Sequence, residues 1–291
     1  MKIVFGYNMR KNGIVMINET IEVGKINRLR VYKNTDFGLF LESNCEEEVL
    51  LPNAYCTPDM KLHDEIEVFI YHDSEDRLVA TTQKPLAMLG EYFYAKVVDY
   101  RQYGAFVDWG LPKDLFVPLS QQKAYFHVDD CFILRVCKDE ETGRLYGTHK
   151  IGKYIVRDMG GLSQNQKLYA IVIAKTPLGY KVIADNKYEG MLFENEIFEP
   201  IAIGDKKEVY IKKLRGDGKM DLSLQIIGQK SGNQEEFLDL IKANPNFNSK
   251  SSPEDIQSTF KMSKKNFKRN LTALVEAKKV SINEGKIVIN E

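Results

Sequence analysis

The chain repeats itself, and no other feature of the sequence restricts its fold as much. The segment Asp36-Phe37-Gly38-Leu39-Phe40-Leu41 returns 66 residues later as Gln102-Tyr103-Gly104-Ala105-Phe106-Val107. The same offset carries Gly24 to Gly90, Leu51-Pro52 to Val117-Pro118 and Asp64 to Asp130. A weaker third copy follows at an offset of 75, with Gly104 matched to Gly179, Asp130 to Asp205 and Arg144-Leu145 to Lys219-Met220. Several matches at one offset mark related segments, each a supersecondary unit built again.

Each copy reads as short strands: a β-branched or aromatic run, a glycine, a second apolar run, a loop, then an aspartate before alternating apolar residues. In the third copy the apolar runs are 168–173, 180–184, 209–211 and 220–224. Five short strands in about 65 residues are what a small closed Greek-key barrel, the OB-fold, requires. The glycine suits a barrel strand that must bend sharply. A propeller is the competing all-β repeat, but three blades do not close.

After Gly228 the pattern changes. Residues 229–233 have linker composition. Phe237, Leu238, Leu240 and Ile241 then share one helical face, and Pro253 opens a second helix after Ser251-Ser252. Ser263 caps a third, whose apolar face uses Phe267, Leu271, Leu274 and Val275. Two short strands flank the turn Asn283-Glu284-Gly285. Three helices and a hairpin make a winged helix-turn-helix. The expected fold is mainly β with a C-terminal α+β module. Its parts are an N-terminal extension at 1–20 with a hairpin signal at Asn12-Gly13, OB-fold barrels at 21–86, 87–160 and 161–228, and a winged helix at 229–291.

The 41 Lys+Arg and 41 Asp+Glu balance, which excludes a uniformly basic nucleic-acid coat and leaves only local basic footprints. A hydrophobic content of 43% is too high for global disorder. No apolar run approaches the roughly 18 residues of a membrane span, and the start of the chain lacks a secretory signal; a cytosolic protein is expected. The four cysteines contain no CxxC pair and are expected to be reduced packing residues. There is no GxxxxGK[ST], HExxH or GxSxG motif. The acidic runs 46–48 and 139–141 fall in predicted loops without a partner cluster, so no metal, cofactor or catalytic centre is expected. His63 and His72 are expected to be solvent-exposed.

The run Gly24-Lys25-Ile26-Asn27-Arg28-Leu29 followed by Phe37-Gly38-Leu39-Phe40 resembles the opening of S1 RNA-binding modules. In the second copy the likeness rests on Tyr103-Gly104-Ala105-Phe106-Val107. Three S1-like modules before a winged helix, with a proline in the segment where S1 modules usually read Gly-Leu-Val-His-Ile-Ser, resemble the bacterial CvfB family (conserved virulence factor B) over residues 21–291. The resemblance implies RNA binding and post-transcriptional regulation without catalysis. It implies that exposed aromatics, Phe37 with Phe40 and Tyr103 with Phe106, stack on unpaired bases. The usual histidine is replaced by Pro52 and Pro118. A loop Asp and Arg complete the face as Asp73 with Arg77 and, one residue longer, Asp139 with Arg144. Lys25 and Arg28 add basic contacts, although they also read as solvated strand charges. In the third copy Leu178, Lys181 and Arg215 stand at the corresponding places, which makes it the weakest candidate for stacking. Trp109 reads as a loop packing residue.

In the third helix Lys264, Lys265, Lys268 and Arg269 cluster opposite the apolar face, placed for a groove or for phosphates. Asn266 and Asn270 could read base edges. Single-stranded RNA is the expected partner. The alternatives are duplex DNA bound by the winged helix, with the barrels as scaffold, and a ribosome- or protein-binding adaptor. Neither a membrane nor a small-molecule substrate is expected. The sequence shows no coiled-coil heptad to pair two half-sites, which favours RNA.

Overall fold

The structure, a computed structural model, describes residues 16–197, 199–226, 234–260, 262–283 and 286–290. The hairpin signal at Asn12-Gly13, the linker at 229–233 and the turn residues 284–285 lie outside them. The chain divides into two compact units, residues 1–153 and 154–291.

In the first unit β1 (Ile26–Thr35), β2 (Gly38–Glu42), β3 (Glu48–Pro52), β4 (Glu65–His72) and β5 (Leu78–Thr81) close into a barrel ordered β1-β2-β3-β5-β4. The plan recurs in β6 (Tyr92–Arg101), β7 (Gly104–Val107), β8 (Leu115–Pro118), β9 (Cys131–Lys138) and β10 (Leu145–Thr148), a sheet ordered β10-β9-β6-β7-β8. Its two edges approach where Gly147 of β10 meets Val117 of β8; a Cβ there would stand 2.9 Å from the valine methyl. In the second unit β11 (Lys167–Thr176), β12 (Gly179–Ala184), β13 (Tyr188–Phe193), β14 (Lys206–Leu214) and β15 (Met220–Ser223) close the third barrel in the matching order.

Three local devices make the copies alike. The long first strand of each carries an irregularity after Val31, Val97 or Val172, so one strand can pair with two neighbours and turn the barrel's corner. The aspartate before the fourth strand closes a turn: Asp64 accepts from the Lys61 N–H at 2.8 Å, Asp130 from His127 at 2.9 Å and Asp205 from Ala202 at 3.0 Å. The residue before it is left-handed in all three, His63 at φ 74°, Asp129 at 73° and Gly204 at 95°. Each copy also opens on a left-handed residue, Gly24, Gly90 and then Asn165 at φ 65°. Asparagine tolerates that conformation, so the backbone is kept where the glycine pattern is lost.

The first two barrels share apolar core. Val68 and Ile70 of β4 face inward among Leu29, Leu41 and Leu51, while Phe69 and Tyr71 face outward into the core of the second barrel. There they meet Trp109 edge-on at 5.8 and 6.5 Å. A strand buried on both faces has to be a continuous apolar run, and Val68-Phe69-Ile70-Tyr71 is one. Trp109 is 2% exposed and donates its indole N–H to the Lys113 carbonyl, a packing residue as its sequence position suggests.

α1 (Gln234–Ala243), α2 (Pro253–Phe260), α3 (Lys264–Glu276), β16 (Val280–Asn283) and β17 (Lys286–Ile289) form the winged helix around Phe237, Ile256, Phe260, Phe267 and Leu271. Ser252 and Ser263 cap α2 and α3 by accepting from the Asp255 and Asn266 N–H groups. Two expectations for α3 fail for one geometric reason. The buried stripe runs through Phe267, Asn270, Leu271 and Leu274, at i, i+3, i+4 and i+7. Asn270 is therefore 5% exposed, its amide directed at the Met262 sulfur, and cannot read bases. Val275 lies at the stripe's edge and is 38% exposed. The cysteines are all free, but Cys45 and Cys131 are exposed and only Cys137 is buried, so packing does not explain the set. No helix among the described residues is long and apolar enough to cross a membrane.

Candidate nucleic-acid interface

The interface is organised by one glycine per barrel. Gly38, Gly104 and Gly179 have φ of 144°, 154° and 139°, and a Cβ on them would stand 2.1, 2.3 and 2.1 Å from the carbonyl oxygens of Leu51, Val117 and Leu192. Only glycine lets the two strands come this close. The preceding residue is thrust outward: Phe37 is 77% and Tyr103 73% exposed, and Leu178 takes the same place in the third barrel. Two residues beyond the glycine, Phe40 and Phe106 also point away from the barrel cores, but they are half-buried rather than exposed as expected. Phe40 leans on Tyr32 at 6.3 Å with the Lys33 ammonium 5.8 Å from its ring. Phe106 lies 5.2 Å from Phe116, with the Arg101 guanidinium 5.3 Å from its centroid. Each of the first two barrels thus presents one free ring and one ring held in place.

Across the hairpin, Pro52 and Pro118 stand directly opposite Gly38 and Gly104. In the third barrel the residue opposite Gly179 is Phe193, flanked by Lys212 at 5.6 Å and Arg215 at 5.9 Å. The third face therefore does carry an aromatic, supplied by β13 instead of β12. Attention to the residues beside the glycine misses it. The spacing reveals it, since Pro52, Pro118 and Phe193 each follow their glycine by 14 positions.

The loop pairs are equivalent by hydrogen bonding: the N–H of Asp73, Asp139 and Arg215 donates to the carbonyl of Arg77, Arg144 and Lys219. Arg77 forks onto its own Asp73 at 2.9 and 2.7 Å. The extra residue in the second loop breaks that pairing. Asp139 is taken by the Thr142 N–H and hydroxyl, which hold its carboxyl below the usual range. Arg144 reaches instead to Asp76 of the first barrel at 2.8 Å. Phe106 and Arg144 thereby come to line one cleft.

Lys25 and Arg28 are not brought to the aromatics. They pair with Glu22 at 3.2 Å and Glu65 at 2.9 Å. Arg28 lies opposite Glu67 of β4 while Phe40 lies opposite Lys33, about 16 Å along β1 at the usual strand rise. The cation beside Phe40 is Lys33. His63 is exposed, but His72 is half-buried with its Nδ1 buried and, among the described residues, without a hydrogen-bond partner; burial, then the charges of Lys113 and Arg144, push its pKa down. On α3, Lys265, Lys268 and Arg269 are exposed, while Lys264 is half-buried with its ammonium toward the Lys250 carbonyl at 3.4 Å. Among the described residues no group of three or more His, Cys, Asp or Glu is arranged to hold a metal ion.

The S1 domain family matches residues 23–83, and the CvfB-like winged helix domain family matches residues 236–288. Over most of its length the chain is similar to proteins named conserved virulence factor B. Conserved virulence factor B of Staphylococcus aureus USA300 is 26% identical over 284 residues, 92% of this chain and 94% of that protein. Its counterpart in Staphylococcus epidermidis ATCC 12228 is 26% identical over 246 residues, 80% of this chain and 82% of that protein. The uncharacterized protein YitL of Bacillus subtilis is 29% identical over 277 residues, 90% of this chain and 92% of that protein. A crystal structure of a multidomain protein with nucleic acid binding domains from Streptococcus pneumoniae is 22% identical, covers 92% of this chain and 98% of that chain, and has a TM-score of 0.40. With S1 and winged-helix domains, the chain is a nucleic-acid-binding regulator.

Proposed function

We propose that the chain is a non-enzymatic, cytoplasmic RNA-binding regulator that holds a single strand on its first two barrels, with the winged helix adding electrostatic affinity. What carries this reading is the recurrence of one exposed ring, Phe37 or Tyr103, beside a half-buried one, Phe40 or Phe106, on the same hairpin of two barrels. An exposed ring costs solvation and is suited to stacking on an unpaired base, which is worth about 1 to 3 kcal/mol and tolerates sequence. Arg101 stands beside Phe106 and Arg144 lines the same cleft, and each would meet a backbone phosphate by exchanging its present carboxylate partner for it. A second reading, duplex DNA bound by α3, draws on the exposed Lys265, Lys268 and Arg269.

Titrating the full chain against a short single-stranded RNA, the same sequence as DNA, and a duplex at two salt concentrations tests the proposal. RNA should bind most tightly, and Phe37→Ala or Tyr103→Ala should each weaken it by about 1 to 3 kcal/mol with the fold intact. Tightest binding to duplex DNA, insensitive to both substitutions, would transfer the function to the winged helix.

A further inference from the structure

The face of the second barrel is not open to solvent on all sides. A cleft of about 790 Å³ is lined by its Phe106, Phe116 and Tyr146 together with His72 and Asp76 of the first barrel. The cations at this cleft already have partners. Arg101 pairs with Asp99 at 2.7 Å and Arg144 with Asp76 at 2.8 Å; Lys113 donates to the Asp73 carbonyl at 2.7 Å and stands 3.7 Å from Asp76. A free phosphate would have to displace one of these carboxylates.

Asp114, in the same lining, is differently placed. It is half-buried, and among the described residues no hydrogen bond or ion pair reaches its carboxyl. Burial and the neighbouring carboxylates Asp108 and Asp99 push its pKa up. Its oxygens are not buried, so they face the cleft as an acceptor that no side chain occupies, and a ligand N–H can take the place of water there. A ligand that suits both this acceptor and the aromatic lining must have a flat π face and an N–H donor at its edge. Nucleobases have both. Cytosine, adenine and guanine present an exocyclic amino group, for which a carboxyl oxygen is a good acceptor. Uracil presents only its ring N–H, set between two carbonyl oxygens that the carboxylate repels.

We propose that this cleft seats one nucleobase of the bound strand, stacked against the Phe106 side and donating an exocyclic amino group to Asp114, so that the second barrel prefers amino-bearing bases over uracil. The inference rests on the RNA-binding reading above and adds base selection to it. The first barrel takes part, because His72 and Asp76 complete the cleft and Asp76 fixes the arginine.

The test uses the full chain and fluorescein-labelled oligo(C), oligo(A) and oligo(U) RNAs of about eight nucleotides, within the span of a single OB barrel. By anisotropy, oligo(C) and oligo(A) should bind about tenfold more tightly than oligo(U). Asp114→Ala should reduce that ratio to below about twofold, chiefly by weakening the amino-bearing strands. Asp114→Leu, closer in size, should do the same and guards against a loosened loop in the alanine variant. Equal binding of the three strands by the wild type, or a ratio unchanged in both variants, overturns base selection while leaving RNA binding standing. Absence of binding to every strand, or binding unaffected by Tyr103→Ala with Phe106→Ala, overturns the RNA-binding reading itself.

Discussion

A methyl group on Gly104 has no place to go. Its Cβ would lie 2.3 Å from the Val117 carbonyl oxygen, at a φ of 154° that side-chain-bearing residues avoid. Gly104→Ala should therefore cost about 1 to 3 kcal/mol or more, read as a lower thermal midpoint of the first unit. Binding to RNA should fall further than stability explains, because Tyr103 and Phe106 hang from that backbone. An unchanged midpoint would mean the hairpin can open without loss. This glycine was legible in the sequence, since it recurs with aromatic neighbours in two copies. Asn165 was not, because a different residue satisfies the same left-handed backbone. Nor was Asp114, because a lone loop carboxylate has no pattern, and its meaning comes only from the donors that fail to reach it.

At the level of elements, α3 shows what periodicity settles and what it leaves to packing. The cap at Ser263 and the stripe through Phe267, Leu271 and Leu274 were readable residue by residue. The edges of the stripe were not: whether Asn270 or Val275 meets solvent depends on where α1 and α2 press against the helix. The exposed cations Lys265, Lys268 and Arg269 carry the prediction here. If they lie along a single strand's phosphates, changing all three to Gln should reduce the slope of log K against log salt by roughly 0.7 per lost contact, with base preference kept. Lys264 should contribute less, since its ammonium already faces the Lys250 carbonyl. A slope that does not move would assign α3 to protein contact or to structure.

At the scale of the molecule, a threefold repeat suggests beads on a string, and for the first two barrels that picture is wrong. The ion pair between Arg144 and Asp76 and the bond from Lys113 to Asp73 cross between them, but exposed pairs of this kind are worth at most about 1 kcal/mol each. The shared core holds them together more strongly. Phe69, Tyr71 and Val79 of the first barrel and Trp109, Leu111 and Phe126 of the second are buried in one cluster. The run Val68-Phe69-Ile70-Tyr71 announces two-sided burial in the sequence, but without naming what covers the outer side. Trp109→Ala would remove the ring that Phe69 and Tyr71 pack against and should cost about 3 to 5 kcal/mol. Because that ring belongs to both barrels, amide hydrogen exchange in the full chain should show protection falling together in β1–β5 and β6–β10, with β11–β15 unaffected. Loss confined to β6–β10 would show that the first barrel holds its fold alone. The joined cleft around Phe106 would then depend on the surface pairs and not on a common core.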